Sequence, residues 1–279
     1  MQGKNIGIIG VGNIGASILR GLLAADSGRG RRSGKIFISD VRRETLSYFE
    51  GGQESRVEVC AGNGEVAEKS DVIILAVKPN DVHAVVEEIA PSMTEEKILV
   101  SVAAGVPVSA IERDLGEGKK VIRVMPNIGA LVGESVTAMC TGTYAGEEDE
   151  ALAKEILGAI GDVYSVKESD IDVITGLSGS GIAFFAAVIE AMAAGGLYEG
   201  LPHDLSLAIS AKAAQGAAKM VLAGYEPPLI KRMTASPGGT TIRGLYAMDA
   251  RGVKAALMEA VIEATKRARE ISSQARRAQ

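Results

Sequence analysis

The stretch Ile6-Gly7-Ile8-Ile9-Gly10-Val11-Gly12-Asn13-Ile14-Gly15 constrains the fold more than any other part of the chain. A short apolar run meets GxGxxG directly, and a helix-like segment, Ala16 to Ala24, follows. In a strand–turn–helix unit each glycine has its own task. The first permits the turn, the second lets a pyrophosphate approach the backbone, and the third packs helix against strand. The helix start then offers N–H groups to phosphate oxygens. The expectation is a dinucleotide-binding Rossmann-like unit, with an ordinary tight strand–helix turn as the alternative.

The residues that follow repeat the same theme. Ile36-Phe37-Ile38, Val57-Glu58-Val59, Val72 to Val77, Ile98 to Val102 and Val121 to Met125 are short β-branched runs. Continuous apolar runs such as VIILAV indicate strands covered on both faces, as in a parallel sheet. Helical patterns such as Asp81 to Ala90 complete βαβ units. Two more strand-like runs, Ser135 to Cys140 and Asp162 to Val166, flank a helical segment and form an appended edge. After Val166 the strands stop. Helices are expected over Ser178 to Leu197, Asp204 to Ala223, Pro228 to Ala235, Thr240 to Ala250 and Val253 to Ile271. The predicted fold class is α/β: a Rossmann-like, mostly parallel sheet domain over residues 1–165, then an all-α domain over 166–279.

Composition narrows the function. The chain has 279 residues, only 4% of them aromatic and none of them Trp, and a net charge of −5. Few stacking platforms and no basic field argue against nucleic acid as a partner. The basic clusters Arg29-Gly30-Arg31-Arg32 and Lys266 to Arg277 read as solvated surface. Cys60 and Cys140 lack metal-ligand spacing and read as buried thiols in a reducing compartment, so a cytoplasmic location is expected. The longest apolar stretch, Ile182 to Ile189 resuming after Glu190, is expected to fall short of the roughly 20 residues of a membrane span. A helix so apolar all round must still be covered, by a partner subunit or by its own neighbours.

Several segments lie where ligands bind in open α/β sheets, beyond the C-terminal strand ends. Ser39-Asp40 ends the second strand, and an acid there suits a ribose 2′-hydroxyl. Arg42 and Arg43 could instead hold a 2′-phosphate, and the balance tips slightly to NADH over NADPH. Ala76-Val77-Lys78-Pro79 follows the fourth strand, with Lys78 either a ligand contact or an exposed strand cap. Ala103-Ala104-Gly105 and Met125-Pro126-Asn127 follow the fifth and sixth. Ser178-Gly179-Ser180-Gly181 and Ser236-Pro237-Gly238-Gly239-Thr240-Thr241 each precede a helix, where N–H and hydroxyl donors favour a carboxylate. Alone, either could be a simple helix cap.

Taken together, GVGNIG, AVKP, SVAAGV, RVMPN, SGSG and SPGGTTIRGLYAMD resemble the pyrroline-5-carboxylate reductase family in order and spacing. The resemblance covers essentially the whole chain, and SPGGTT is its most specific part. It implies an oxidoreductase of proline biosynthesis that reduces 1-pyrroline-5-carboxylate, a cyclic imino acid, to proline with NAD(P)H. It implies a helical domain that interlocks two subunits into a homodimer or a larger homo-oligomer. The cofactor contacts it implies are Gly10, Gly12, Asn13, Ile14, Ser39, Asp40, Asn63, Ala76, Lys78, Pro79 and Ala104. The substrate carboxylate would meet Ser178, Gly179, Ser180, Gly238, Gly239 and Thr240, with SPGGTT supplied by the partner subunit. Thr241 would place its hydroxyl near the imine nitrogen, as the catalytic residue. No metal is required, and His83 and His203 read as structural or surface residues.

The chain departs from the family's usual pattern at four places. Ile128 and Ile182 stand where prolines are usual, Lys212 where Gln is common, and His203 where Arg is common. These changes bear on which cyclic imine is accepted. Two other readings compete. A β-hydroxyacid dehydrogenase-like enzyme would need a catalytic lysine, Lys212 or Lys219, but leaves SPGGTT without a role. A non-catalytic dinucleotide-sensing protein would not need donors aimed at an imine.

Overall fold

The computed structural model describes residues 3–29, 34–47, 49 and 56–277. The described residues of the first part alternate strand and helix. Strands β1 (Ile6–Ile9), β2 (Ile36–Ser39), β3 (Val57–Val59), β4 (Val72–Leu75), β5 (Ile98–Ser101) and β6 (Lys120–Met125) run parallel. Helices α1 (Asn13–Arg29), α2 (Arg43–Ser47), α3 (Asn63–Lys69), α4 (Val82–Ile89) and α5 (Val108–Leu115) connect them. Strand β7 (Ser135–Thr141) pairs antiparallel with β6, and helix α6 (Glu147–Leu157) leads to β8 (Gly161–Ser165), which pairs parallel with β7. The sheet order is β3-β2-β1-β4-β5-β6-β7-β8. Order reverses beside β1, and that reversal opens a crevice at the carboxyl ends of the strands.

The apolar runs explain the layering. Every residue of β1, β2, β4 and β5 is buried. Their side chains divide alternately between two clusters, one on each face: Ile9, Ile73, Leu75 and Leu99 on one, Ile6, Ile8, Ile74 and Val100 on the other. Each fully buried Ile or Leu contributes about 1.5–3 kcal/mol relative to exposure, which is why helices must cover both faces.

The predicted strands all form, with ends shifted by a residue or two. Helix α1 is longer than the sequence suggested. It begins at Asn13 and runs to Arg29, past the expected Ala16 to Ala24, because no Pro or Gly interrupts Ala24-Ala25-Asp26-Ser27. Of the basic cluster Arg29-Gly30-Arg31-Arg32, the last three residues lie outside the described residues.

The later residues form α7 (Ile171–Ile174), α8 (Gly181–Tyr198), α9 (His203–Leu222), α10 (Pro227–Thr234), α11 (Thr240–Ala250) and α12 (Val253–Arg277). The chain divides into two compact units, and the division differs from a single cut at residue 165. The first unit is Met1–Gly179 plus Thr265–Gln279, and the second is Ser180–Ala264. The strands do end at Ser165, but α7 and the end of α12 pack with the sheet. Ser272 Oγ donates to Asp172 Oδ1 at 2.7 Å, and a Cβ on Gly105 would lie 3.0 Å from Ile271 Cγ2.

Within the second unit α8 packs on α9 through small residues. A Cβ on Gly196 would stand 2.7 Å from Ser206 Oγ. Only Gly181 and Ala193 of α8 are buried, while Phe185 is 69% exposed and Tyr198 88%. One expectation needs correction. The helical stretch containing α8 spans Glu168–Tyr198, 31 residues, and its most apolar 18-residue window has a mean hydropathy of 1.7. By length and composition alone that is enough to cross a membrane, because α7 and the turn after it fuse with α8.

Candidate functional site

The glycine turn is built as its sequence demands. Gly10 has φ +92°, and a Cβ there would sit 2.6 Å from the Ala76 carbonyl oxygen, so no side chain fits. Gly10 N donates to the Ser39 carbonyl at 2.8 Å, and Ala76 N to the Ile9 carbonyl at 2.8 Å, which ties the ends of β1, β2 and β4 together. Gly12 differs: a Cβ there would meet nothing nearer than Arg42 Nη2 at 3.8 Å. The open side of the turn therefore lies over Gly12, at the positive end of a 17-residue helix. The bare backbone at Gly12 and the closed one at Gly10 fit a dinucleotide pyrophosphate.

Asp40 closes the turn from the β2 side. Its Oδ2 accepts from Val11 N–H at 2.8 Å, and its Oδ1 accepts from Arg42 N–H at 2.8 Å and from Arg42 Nε at 3.4 Å. The side chain is 5% exposed. The sequence could not show that Asp40 shapes the loop as well as facing the ligand space. Beside it Ser39 Oγ donates to Asn63 Oδ1 at 2.8 Å, and Asn63 Nδ2 donates to Glu88 Oε2 at 2.7 Å.

Two adjoining cavities share Asp40, Val41 and Asn63. One runs along Gly10, Gly12, Arg42, Ala76 and Lys78, and the other along Ser39, Arg43, Cys60 and Glu88. Of the predicted cofactor contacts, the structure gathers Gly10, Gly12, Ser39, Asp40, Asn63, Ala76 and Lys78 around this groove. Asn13 and Ile14 form the first turn of α1, Pro79 opens a 3-10 turn at Pro79–Asp81, and Ala104 lies half-buried in the loop after β5.

A second arrangement centres on Asn127, which is buried after β6. Its Oδ1 accepts from Gly129 N–H at 3.1 Å and from Val136 N–H at 3.4 Å, while its Nδ2 donates to the Ser178 carbonyl at 3.2 Å. Ser178 Oγ donates to the Ile174 carbonyl at 3.0 Å. The SGSG segment does not open a fresh helix, as the sequence suggested. Thr175–Gly179 form a π-helical turn between α7 and α8, an insertion that widens the helix and shifts its hydrogen-bond register. Ser178 and Gly179 belong to the first unit and Ser180 to the second.

Gly238, Gly239, Thr240 and Thr241 all belong to the second unit. Gly238 has φ +70°, and Gly239 caps α11 in an extended conformation. Thr240 begins α11 exposed and Thr241 follows half-buried, so this segment is a true helix N-terminus with its first N–H groups free of intrahelical partners.

The remaining candidates sit apart from these features. His83 Nδ1 lies 2.9 Å from Asp114 Oδ2, and His203 Nδ1 lies 3.4 Å from Asp204 Oδ1; both are exposed. Lys212 Nζ donates to Gln215 Oε1 at 2.8 Å. Cys60 and Cys140 are free and buried, and burial pushes each thiol up to about 11. Ile128 and Ile182 are both partly exposed, the latter in the first turn of α8.

Residues 168–271 match the family described as pyrroline-5-carboxylate reductase dimerisation, and residues 5–105 match NADP oxidoreductase, coenzyme F420-dependent. The chain is 40% identical over 272 residues to a pyrroline-5-carboxylate reductase of Methanosarcina acetivorans, covering 97% of this chain and 99% of that one. Among solved structures, a pyrroline-5-carboxylate reductase from Coxiella burnetii superposes with a TM-score of 0.88 at 28% identity, over 96% of this chain and 98% of the other. The Plasmodium falciparum pyrroline carboxylate reductase with NADP bound gives 0.83 at 27% identity, over 98% and 99%. Identity of this extent over nearly the full length of both chains places the chain in the pyrroline-5-carboxylate reductase family.

Proposed function

We propose that this chain reduces 1-pyrroline-5-carboxylate to L-proline with NAD(P)H, the reductive step that closes proline biosynthesis. The observation that carries the reading is the presence in one chain of an open dinucleotide turn at Gly12 and of two further glycine-and-hydroxyl segments, Ser178–Gly181 and Ser236–Thr241. When bound, the dihydronicotinamide supplies the hydride that the imine carbon accepts.

Residues from two copies of the chain bind and orient. Gly10, Gly12, Asn13 and Ile14 hold the pyrophosphate, Ser39, Asp40 and Asn63 the adenosine ribose, and Ala76, Lys78, Pro79 and Ala104 the remainder. Asn127 holds the Ser178 carbonyl in place, which fixes the π-turn and its N–H groups. Ser178, Gly179 and Ser180, with Gly238, Gly239 and Thr240, hold the substrate carboxylate. Donors at a helix N-terminus favour that anion. Thr241 donates a hydrogen bond to the imine nitrogen, or orders a water that protonates it as the carbon–nitrogen double bond becomes single. Positioning does most of this work, because the imine carbon must be held against the hydride donor while its nitrogen takes up the proton.

The exposed apolar face of α8 is covered by a second copy of the chain, whose helical unit interlocks with the first to give a homodimer or a larger homo-oligomer. That copy supplies SPGGTT to its neighbour's site. We place the enzyme in the cytoplasm, where two buried free thiols stay reduced. Purified protein mixed with pyrroline-5-carboxylate and either NADH or NADPH should lose nicotinamide absorbance. No oxidation with either cofactor would overturn the assignment, and faster turnover of a different cyclic imine would correct its substrate.

A further inference from the structure

We infer that the adenosine end of the groove selects the unphosphorylated dinucleotide, so that this chain binds NADH more tightly than NADPH, with Asp40 and Glu88 as the specificity-determining residues. The inference rests on the dinucleotide reading above and deepens it.

Three observations point the same way. First, Asp40 is held rigidly against the turn by Val11 N–H, and its Oδ2, which accepts that one bond, keeps a lone pair for a ribose hydroxyl. A carboxylate fixed by the backbone cannot swing away from a 2′-phosphate. Second, Arg42 is not turned out to receive that phosphate. Its Nε reaches back to Asp40 Oδ1, and its Nη2 lies over Gly12, on the pyrophosphate side. Third, a second carboxylate faces the same cavity. Glu88 is anchored at 2.7 Å by Asn63 Nδ2, and Asn63 is fixed by Ser39 Oγ.

The cavity lined by Asp40, Arg43, Asn63 and Glu88 therefore presents two carboxylates and one guanidinium not committed to Asp40. A 2′-phosphate carries close to two negative charges and would lie directly against the Asp40 and Glu88 carboxylates. A 2′-hydroxyl would instead donate to Asp40 Oδ2. Charge sign and hydrogen-bond polarity agree.

The test is equilibrium binding, read from protein-bound nicotinamide fluorescence, with adenosine 5′-monophosphate and adenosine 2′,5′-bisphosphate as competitors that isolate this end. The wild-type protein should bind NADH about tenfold or more tightly than NADPH at low salt, a gap of one decade in Kd. The gap should narrow with added salt, since exposed charges are screened. Glu88→Gln keeps an acceptor for Asn63 and should strengthen NADPH binding about two- to fivefold, the size of one exposed charge pair, with NADH unchanged. Arg43→Ala should leave the NADPH affinity nearly as it was. Equal or tighter binding of NADPH by the wild type, or a tenfold loss of NADPH affinity in Arg43→Ala, would overturn the inference while leaving the reductase assignment intact. Failure of both dinucleotides to bind would overturn the reading on which it rests.

Discussion

Arg123 Nη1 donates to Glu168 Oε1 at 2.9 Å, and Val108 N–H donates to the same oxygen at 2.8 Å. One carboxylate thus ties β6, the first residue of α5 and the turn that leads into α7. Arg123 is 3% exposed, so its charge depends on this partner. Glu168→Ala should destabilise the first unit by about 2–3 kcal/mol, less than at a fully buried pair because water reaches Glu168. Urea denaturation at matched protein concentration measures it. A loss under about 0.5 kcal/mol would show that the pair is energetically idle.

Thr241→Ala removes the hydroxyl assigned to the imine nitrogen and leaves the backbone of α11 intact. Turnover should fall about tenfold to a hundredfold, as for one donor aimed at developing charge, with the dissociation constant for NADH unchanged. Steady-state rates alongside fluorescence titration separate the two effects. A variant with undiminished kcat would remove Thr241 from the chemistry.

His83 links α4 to α5 through Asp114, with Glu87 Oε1 3.6 Å from its other ring nitrogen. The hydrogen bond to Asp114, then the charges of Asp114 and Glu87, raise the His83 pKa above its ordinary value. A raised folded-state value stabilises the fold below the ordinary histidine range, and that contribution is lost as pH climbs through the raised value. The melting temperature of the native protein should therefore drop relative to His83→Gln between about pH 6 and about pH 8. Parallel curves for the two proteins would contradict this.

Phe185 presents most of its ring on an apolar helix whose only buried residues are Gly181 and Ala193. Phe185→Glu should shift the protein to monomer in sedimentation, since a charge in an apolar contact between copies stays unpaired. The sheet unit should remain folded by circular dichroism. An unchanged sedimentation coefficient would place the subunit contact elsewhere.

The strands could be read ahead of the structure because their period and β-branched content reflect burial on both faces, as at Val72–Leu75. The glycine turn was legible for the same local reason: Gly10 must accept a conformation that other residues resist. What stayed hidden depends on contacts between distant residues. Nothing in the sequence around Glu168 says that it meets Arg123, 45 positions earlier. The π-turn at Thr175–Gly179 depends on a register shift, and Asn127 reaching the Ser178 carbonyl is a tertiary contact. The split at Gly179 rather than at the last strand follows from α12, whose final turns pack with the sheet.

That packing has a consequence for folding. Asp172 and its partner Ser272 are separated by 100 residues, and Gly105 waits still longer for Ile271. All eight strands of the sheet precede Val166, yet Gly105 and Gly176 gain their cover only from Ile271 and Thr265 of α12. Closing so long a loop adds little entropy cost per extra residue, but it does take time. A chain cut before Thr265 would keep every strand and still lack the residues that cover Gly105 and Gly176, so the sheet unit is finished by residues far along the chain from its strands.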